Sequence, residues 1–244
     1  MRDPNTEHRP LASSSALVIG VGGLGSPAAL ALGRAGVGTI GLIDPDLVET
    51  ANLHRQPLYA EHDVGTPKVD AAAARLRAEC PGLQVNGRAA RFDAGSAALL
   101  DGFDVVVDGT DSVAAKFAIN DAAVQRRLPL VHAGAVGTRA QVLTVLPGTT
   151  ACVRCLFEDP PEAEEAPSCQ EAGVLGPAVN LAGTLQGVEA VRLLSGIPPL
   201  FAGNLLTFDL WNGAWRRVHV PLRPSCGTCG SLHRDVFLQR SVGS

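Results

Sequence analysis

The sequence predicts an α/β protein built on a doubly wound, mostly parallel sheet that continues into antiparallel strands toward its C-terminal end. Three observations predict it. Residues 16–46 read as a buried strand, a glycine-rich turn, a helix and a second strand. Apolar runs then alternate with helical segments as far as residue 146, the order a parallel sheet needs because its neighbours are joined by crossovers. Two of the apolar runs stop at an acid, Asp44 and Asp108, as a central strand does where it delivers a polar group to the carboxyl edge of a sheet.

Taken in order, residues 1–15 are polar and without periodicity, and are expected to form a disordered tail, leaving 16–244 as one domain. Residues 16–19 are a short apolar strand. Gly20, Gly22 and Gly25 follow in a G-x-G-x-x-G pattern, and the strand–turn–helix–strand setting makes that pattern a nucleotide-site signal. One glycine makes the turn, one lets backbone approach a phosphate, and one lets helix and strand pack closely. A small-residue helix over 26–35 then presents its free N–H groups to an anion. A second strand at 39–43 stops at Asp44, placed to accept hydrogen bonds from a ribose. An irregular loop spans 47–65. Thr66 reads as an N-cap with Pro67 at the first helical position, opening a helix through Lys68 to about residue 79. A strand at 83–89, a short helix near 94–100, a strand at 104–108, a helix at 113–126 and strands at 130–133 and 141–146 complete the alternation. The acidic, proline-rich run at 158–167 is expected to be a mobile loop, part of a crossover at about 157–173. A long apolar helix at 174–194 precedes a hairpin, 205–210 and 215–220, with Asn212-Gly213 in its turn.

Composition narrows the function. The chain has 244 residues and a net charge of −4, and only 4% of it is aromatic, so neither charge nor base stacking supports nucleic-acid binding. The uncharged run at 10–33, preceded by Arg2 and Arg9, mimics a signal peptide or membrane span. Asp3, Glu7 and the glycine-dense centre argue against that, and a cytoplasmic protein is expected.

Polar groups converge at the strand ends. Asn52, Arg55 and Gln56 follow the second strand, Lys68 opens the next helix, and Asp111 follows the strand that ends at Asp108. Hydride transfer needs no such cationic cluster. Phosphoryl or nucleotidyl transfer does, because negative charge builds on the attacked phosphate and its leaving group. A carboxylate such as Asp111 suits Mg²⁺, which takes oxygen ligands and substrate phosphates. Singly, each of these charges reads as a solvated surface group; their placement at successive strand ends gives them meaning together.

Of six cysteines, four form two C-x-x-C pairs, Cys152–Cys155 and Cys226–Cys229. Two knuckles supply the four thiolates of a tetrahedral zinc site, and nothing fixes the gap between them. A redox role is the weaker alternative, because neither pair is expected to open a helix after a strand. Cys169 follows the acidic loop and Cys80 ends a helix; without further context each reads as an inert thiol.

Jointly, these motifs resemble the ThiF/MoeB adenylyltransferases, bacterial relatives of ubiquitin-activating enzymes, over about residues 16–230. The residues are GVGGLGSP at 20–27, IDPD at 43–46, NLHRQ at 52–56, GTPK at 65–68 and DGTDS at 108–112, with the C-V-R-C and C-G-T-C pairs and CQEAGVLGP at 169–177. GTLQGVEAVRLLSG at 183–196 looks most like the ThiF side. The resemblance implies a Rossmann-like fold, structural zinc, and Mg-ATP-dependent adenylation of the C-terminal Gly-Gly carboxylate of a small ubiquitin-like sulfur carrier, in thiamin or molybdopterin biosynthesis. It implies that Gly20, Gly22, Gly23, Gly25, Asp44 and Asp46 hold the nucleotide, that Asn52, Arg55, Gln56 and Lys68 hold its phosphates, and that Asp111 organises Mg²⁺. It implies that Cys169 joins covalently to the activated carrier, with a cysteine desulfurase or other sulfur donor and a second copy of the chain as partners. Three departures stand out. Relatives carry an R-Y-x-R-Q helix whose arginine reaches the partner's ATP, and no such motif precedes the first strand here. Ser112 replaces asparagine, and Lys116 replaces arginine. Adenylation of another carboxyl or carbonyl group, in a peptide or tRNA base, and non-catalytic binding of nucleotide or carrier remain as alternatives.

Overall fold

The computed structural model describes residues 10–158 and 173–232. Its first strand, β1 (Ser15–Ile19), leads through the glycine turn into α1 (Gly25–Ala35) and β2 (Thr39–Ile43). Next come α2 (Lys68–Glu79), β3 (Gln84–Arg88), β4 (Val105–Asp108) and α3 (Val113–Gln125). The second half holds β5 (Leu130–Val136), β6 (Arg139–Val145), the one-turn α4 (Val153–Leu156), α5 (Gly176–Leu194), β7 (Asn204–Asp209) and β8 (Ala214–His219). All eight strands form one sheet in the order β3-β2-β1-β4-β5-β6-β7-β8. It is parallel from β3 to β5 and antiparallel from β5 to β8.

The order reverses direction between β1 and β4, and a crevice opens there at the carboxyl ends of the strands. Strand residues alternate between two cores. Ala16, Val18, Val105 and Val107 face α1, α2 and α5, and Leu17, Ile19, Val106 and Leu130 face α3 and the paired cysteines. The helices α1 and α5 approach through glycine. A methyl group at Gly183 would lie 2.1 Å from Leu24 O, and one at Gly187 would lie 2.5 Å from Ala31 Cβ.

The structure differs from the sequence expectation in several elements. Residues 10–15 are ordered: Leu11–Ser13 is a 3-10 turn whose Leu11 O accepts Gly38 N–H at 3.0 Å, and Ser15 N–H donates to Asp104 at 2.8 Å. The apolar Leu11 packs on the core, which polarity averaged over the segment conceals. Thr66 does not cap α2. Pro67 precedes the helix, and Thr66 instead closes the loop below it, donating to Asp63 O and accepting from Val48 N–H. The turn expected near 94–100 is a 3-10 helix at Ala97–Leu100 only. Cys169 and most of the crossover at 157–173 lie outside the described residues. Among the described residues, no helix is long and apolar enough to cross a membrane.

Candidate functional site

A cavity of about 1200 Å³ lies at the carboxyl edge of the sheet, and the crevice residues converge on it. Gly20, Gly22 and Gly23 line it, with Asp44 and Asp46 from the β2 exit, Arg55 and Gln56 from the following loop, Lys68 from α2 and Asp111 from the β4 exit. Gly25 and Asn52 are not among the lining residues and act one step back.

The glycine turn is shaped by close approach. Gly20 has φ +81°, and a Cβ there would lie 2.7 Å from the backbone of Gly109 and Thr110. A Cβ on Gly25 would lie 1.8 Å from Gly20 O. Gly25 therefore closes the turn, while Gly22 and Gly23 face the cavity. Side chains lock the loop through Val21: its N–H donates to Asp44 Oδ2 at 2.7 Å, and its carbonyl accepts from Tyr59 Oη at 2.8 Å and Ser26 Oγ at 3.0 Å.

Asp44 lines the cavity and also has a structural part. It is 4% exposed, and its two oxygens already hold Val21 N–H and Asp46 N–H. Burial raises its carboxyl pKa, with Lys68 opposing. Asp44 is thus the anchor of the glycine loop. Asp46, which also lines the cavity, has its side chain 56% exposed and its Oδ2 2.9 Å from Lys68 Nζ. Lys68 is itself buried, 3.9 Å from Asp44, and its backbone N–H donates to Asp46 O.

Asn52 accepts from the Arg55 guanidinium and donates to Glu49 Oε2 at 3.1 Å, so it aims Arg55. Gln56 is 4% exposed, and its Oε1 has no hydrogen-bond partner among the described residues, a buried acceptor left for a ligand. Asp111 is exposed just before α3. Ser112 caps α3, accepting Ala115 N–H at 3.4 Å, a task serine and asparagine perform alike.

Sequence reasoning missed a buried cluster beneath this edge. Asp108, fully buried, accepts from His132 Nδ1 at 2.7 Å, Lys116 Nζ at 3.2 Å and Thr110 Oγ1 at 2.7 Å. Burial pushes the Asp108 carboxyl up, but Lys116, His132 and Thr110 outweigh it and hold the carboxyl at about 2. Burial also lowers His132, with Lys116 adding to the effect and Asp108 opposing it, so the imidazole is neutral at neutral pH. Only the register of β4 against β5, Asp108 opposite His132, brings the pair together; nothing local to LVHAGAV announces it. Gln186 of α5 was missed likewise, and ties the same edge by donating to Asp108 O and Val131 O. Arg91 and Arg216 add positive charge to the cavity wall, where Arg139 is paired with Asp209 at 3.1 Å.

The four paired cysteines converge as expected. All are buried, and their sulfurs lie within 4.8 Å of one another. Cys152 and Cys226 are 3.8 Å apart, and Cys155 and Cys229 are 3.4 Å apart, against about 3.8 Å between sulfurs in a tetrahedron of 2.3 Å zinc–thiolate bonds. Hydrogen bonding among the sulfurs sets Cys155 below the usual thiol range and Cys152 above it. Four such donors can all ionise only against a cation. Contrary to expectation, the first pair does open a helix: Cys152 is the N-cap of α4. The approach of the second pair makes the group a metal cage. Asp121 holds the cage to α3, accepting from Arg154 Nε at 2.9 Å and Thr228 Oγ1 at 3.1 Å.

Comparison with known proteins places this geometry. The sequence model of the ThiF family matches residues 4–228. The chain is 41% identical over 229 residues to a sulfur carrier protein ThiS adenylyltransferase of Escherichia coli K12, covering 92% of this chain and 89% of that protein. It is 40% identical over 240 residues to an adenylyltransferase and sulfurtransferase MOCS3 of Sus scrofa, covering 96% of this chain and 52% of that protein. It spans about half the length of the MOCS3 proteins it matches. In fold it is similar to E. coli MccB, seen in a crystal structure with ATP, with a TM-score of 0.81, 23% identity, and coverage of 91% of this chain and 68% of that one.

Proposed function

Since the chain belongs to the ThiF family, we propose that it adenylates the C-terminal Gly-Gly carboxylate of a small ubiquitin-like sulfur carrier with ATP, for thiamin or molybdopterin-type cofactor synthesis. The observation that carries this reading is the meeting of the glycine loop, Arg55, Lys68 and Asp111 in one cavity at the switch of strand order. Names of relatives at about 40% identity support it.

A carboxylate oxygen of the carrier attacks the α-phosphorus, and pyrophosphate leaves. In this reading Gly22 and Gly23 leave room for the phosphates, and Asp46 accepts from the ribose. Arg55, aimed by Asn52, and Gln56 lie along the polyphosphate. Lys68 meets charge that develops at the attacked phosphate, while the donors are fixed beforehand and need no reorganisation. Asp111 would hold Mg²⁺ together with the substrate phosphates, and the ion would supply positive charge to the leaving pyrophosphate. Arg216, on the antiparallel side of the cavity, attracts the carrier's carboxylate. Zinc in the cysteine cage is structural, and Cys169 receives the activated carboxyl when a sulfur donor acts. The chain works as a homodimer in the cytoplasm.

The test is ATP–pyrophosphate exchange with carriers ending in Gly-Gly. Exchange depends on the intact tail and falls at least about 100-fold in Asp111→Ala, in line with removal of a metal or charge clamp. Cys169→Ser retains exchange. Absence of exchange with every carrier of the source organism refutes the reading.

A further inference from the structure

Adenylation moves no proton: the attacking group is a carboxylate and the leaving group is pyrophosphate. Yet the cavity floor holds an imidazole oriented as a base. His132 is 2% exposed and lines the cavity. Its Nδ1 meets Asp108 Oδ2 at 2.7 Å. Asp108 is fixed in turn by Lys116 Nζ and by both the N–H and the hydroxyl of Thr110. Against an ionised carboxylate the imidazole has one tautomer, with hydrogen on Nδ1 and a lone pair on Nε2. That Nε2 has no hydrogen-bond partner among the described residues.

The surroundings are defined. Among the described residues, Asp108 on β4 and Lys116 on α3 are the charged groups that act on the ring. The next positions across the sheet, Ile19 on β1 and Leu143 on β6, are apolar. Lys116 is fully engaged, its ammonium also donating to Ala133 O at 2.6 Å. Thr110, held by the same carboxylate, directly precedes Asp111. The imidazole is therefore linked through Asp108 and Thr110 to the loop that carries the proposed magnesium ligand, in the same cavity.

We propose that His132 is the general base for the second half of the reaction, in which a thiol-class nucleophile takes the activated carboxyl group from AMP. The S–H proton passes to Nε2. The sulfur forms its bond to the carbonyl carbon, and the bond from that carbon to the phosphate oxygen breaks, so that AMP leaves as an anion. Asp108 stabilises the imidazolium through Nδ1–H, as an aspartate does in other His-Asp pairs. The inference rests on the adenylation reading.

The experiment compares wild type with His132→Gln, which keeps an amide donor near Asp108, and with His132→Ala. ATP–pyrophosphate exchange is measured with a Gly-Gly carrier, and transfer is measured as thioester formation with N-acetylcysteine amide. At pH 7, exchange in His132→Gln stays within about threefold of wild type, while transfer falls about 100-fold, the size of a lost general base. The deficit closes as pH rises past the thiol's own pKa of about 8.5, where thiolate forms without help. Unchanged transfer overturns the proposal. So does a deficit that is the same at every pH, or a parallel fall of exchange and transfer in both variants, which makes His132 a support for the Asp111 loop. Wild type without exchange removes the adenylation reading and this inference with it; normal exchange with His132-independent transfer removes this inference alone.

Discussion

Asp44, Asp46 and Asp108 are three acids at strand ends, and their surroundings give them three behaviours. Asp44 is buried and committed to backbone N–H groups, Asp46 is open and paired with Lys68, and Asp108 is buried and ringed by donors. Acid should expose the difference as a loss of stability. His132 binds its proton less readily folded than unfolded, so its contribution is complete above its ordinary pKa of about 6.5 and declines as pH falls below that value. Asp108 follows at lower pH: its carboxyl sits at about 2 against 3.8, a difference worth roughly 2 kcal/mol that is lost as pH falls from 3.8 through 2. Asp44, whose carboxyl is raised, acts in the opposite sense. The melting temperature should therefore drop between pH 7 and pH 5, and His132→Gln should flatten that slope. An unchanged slope would show that His132 takes up its proton as readily folded as unfolded. The sequence marked these acids by position, but it could not say which oxygens were already occupied.

At the scale of elements, the boundaries read from apolar periodicity fall within a few residues of those observed, and where they fail a tertiary contact is responsible. Thr66 has the right residue type for a cap, but its backbone closes the 47–65 loop. The glycines of α5 reverse the case. Within a helix Gly183 and Gly187 look unfavourable, yet they let α5 lie against α1, which burial of Ala28, Leu32, Val179 and Ala182 stabilises. Gly183→Ala should lower the melting temperature by about 3–10 °C, because the added methyl must displace the α1 backbone at a cost of about 1–3 kcal/mol. Thr184→Ala, one position on and exposed, should change it by under about 2 °C, as surface substitutions do. Equal effects in thermal melts would show that the α1–α5 contact yields without strain.

Across the whole molecule the cysteine cage joins parts far apart in sequence. It links the segment after β6 to the segment after β8, and Asp121 fastens both to α3. Val153 lies between two of the cysteines and Phe157 just beyond them, and both line the cavity. Metal loss should therefore reach the site. The protein as purified should carry one zinc ion per chain by metal analysis. Cys226→Ser should release it, lower the melting temperature by more than about 10 °C and reduce exchange, since cage binding energy is folding energy. Retention of stoichiometric zinc in Cys226→Ser would show that the metal sits elsewhere.

By itself the sequence determined the class of fold, the order of its elements, the glycine turn, the cysteine pairs and the set of charges at the strand ends. These are legible because periodicity, turn chemistry and ligand spacing are local properties. Only the tertiary structure decided that Asp44 anchors the glycine loop, that Asp46 pairs with Lys68, that Asn52 aims Arg55, and that His132 stands on Asp108. Each depends on which buried polar group meets which partner. That is fixed by strand register and by the requirement that buried donors and acceptors be satisfied, conditions set by the packing of distant segments.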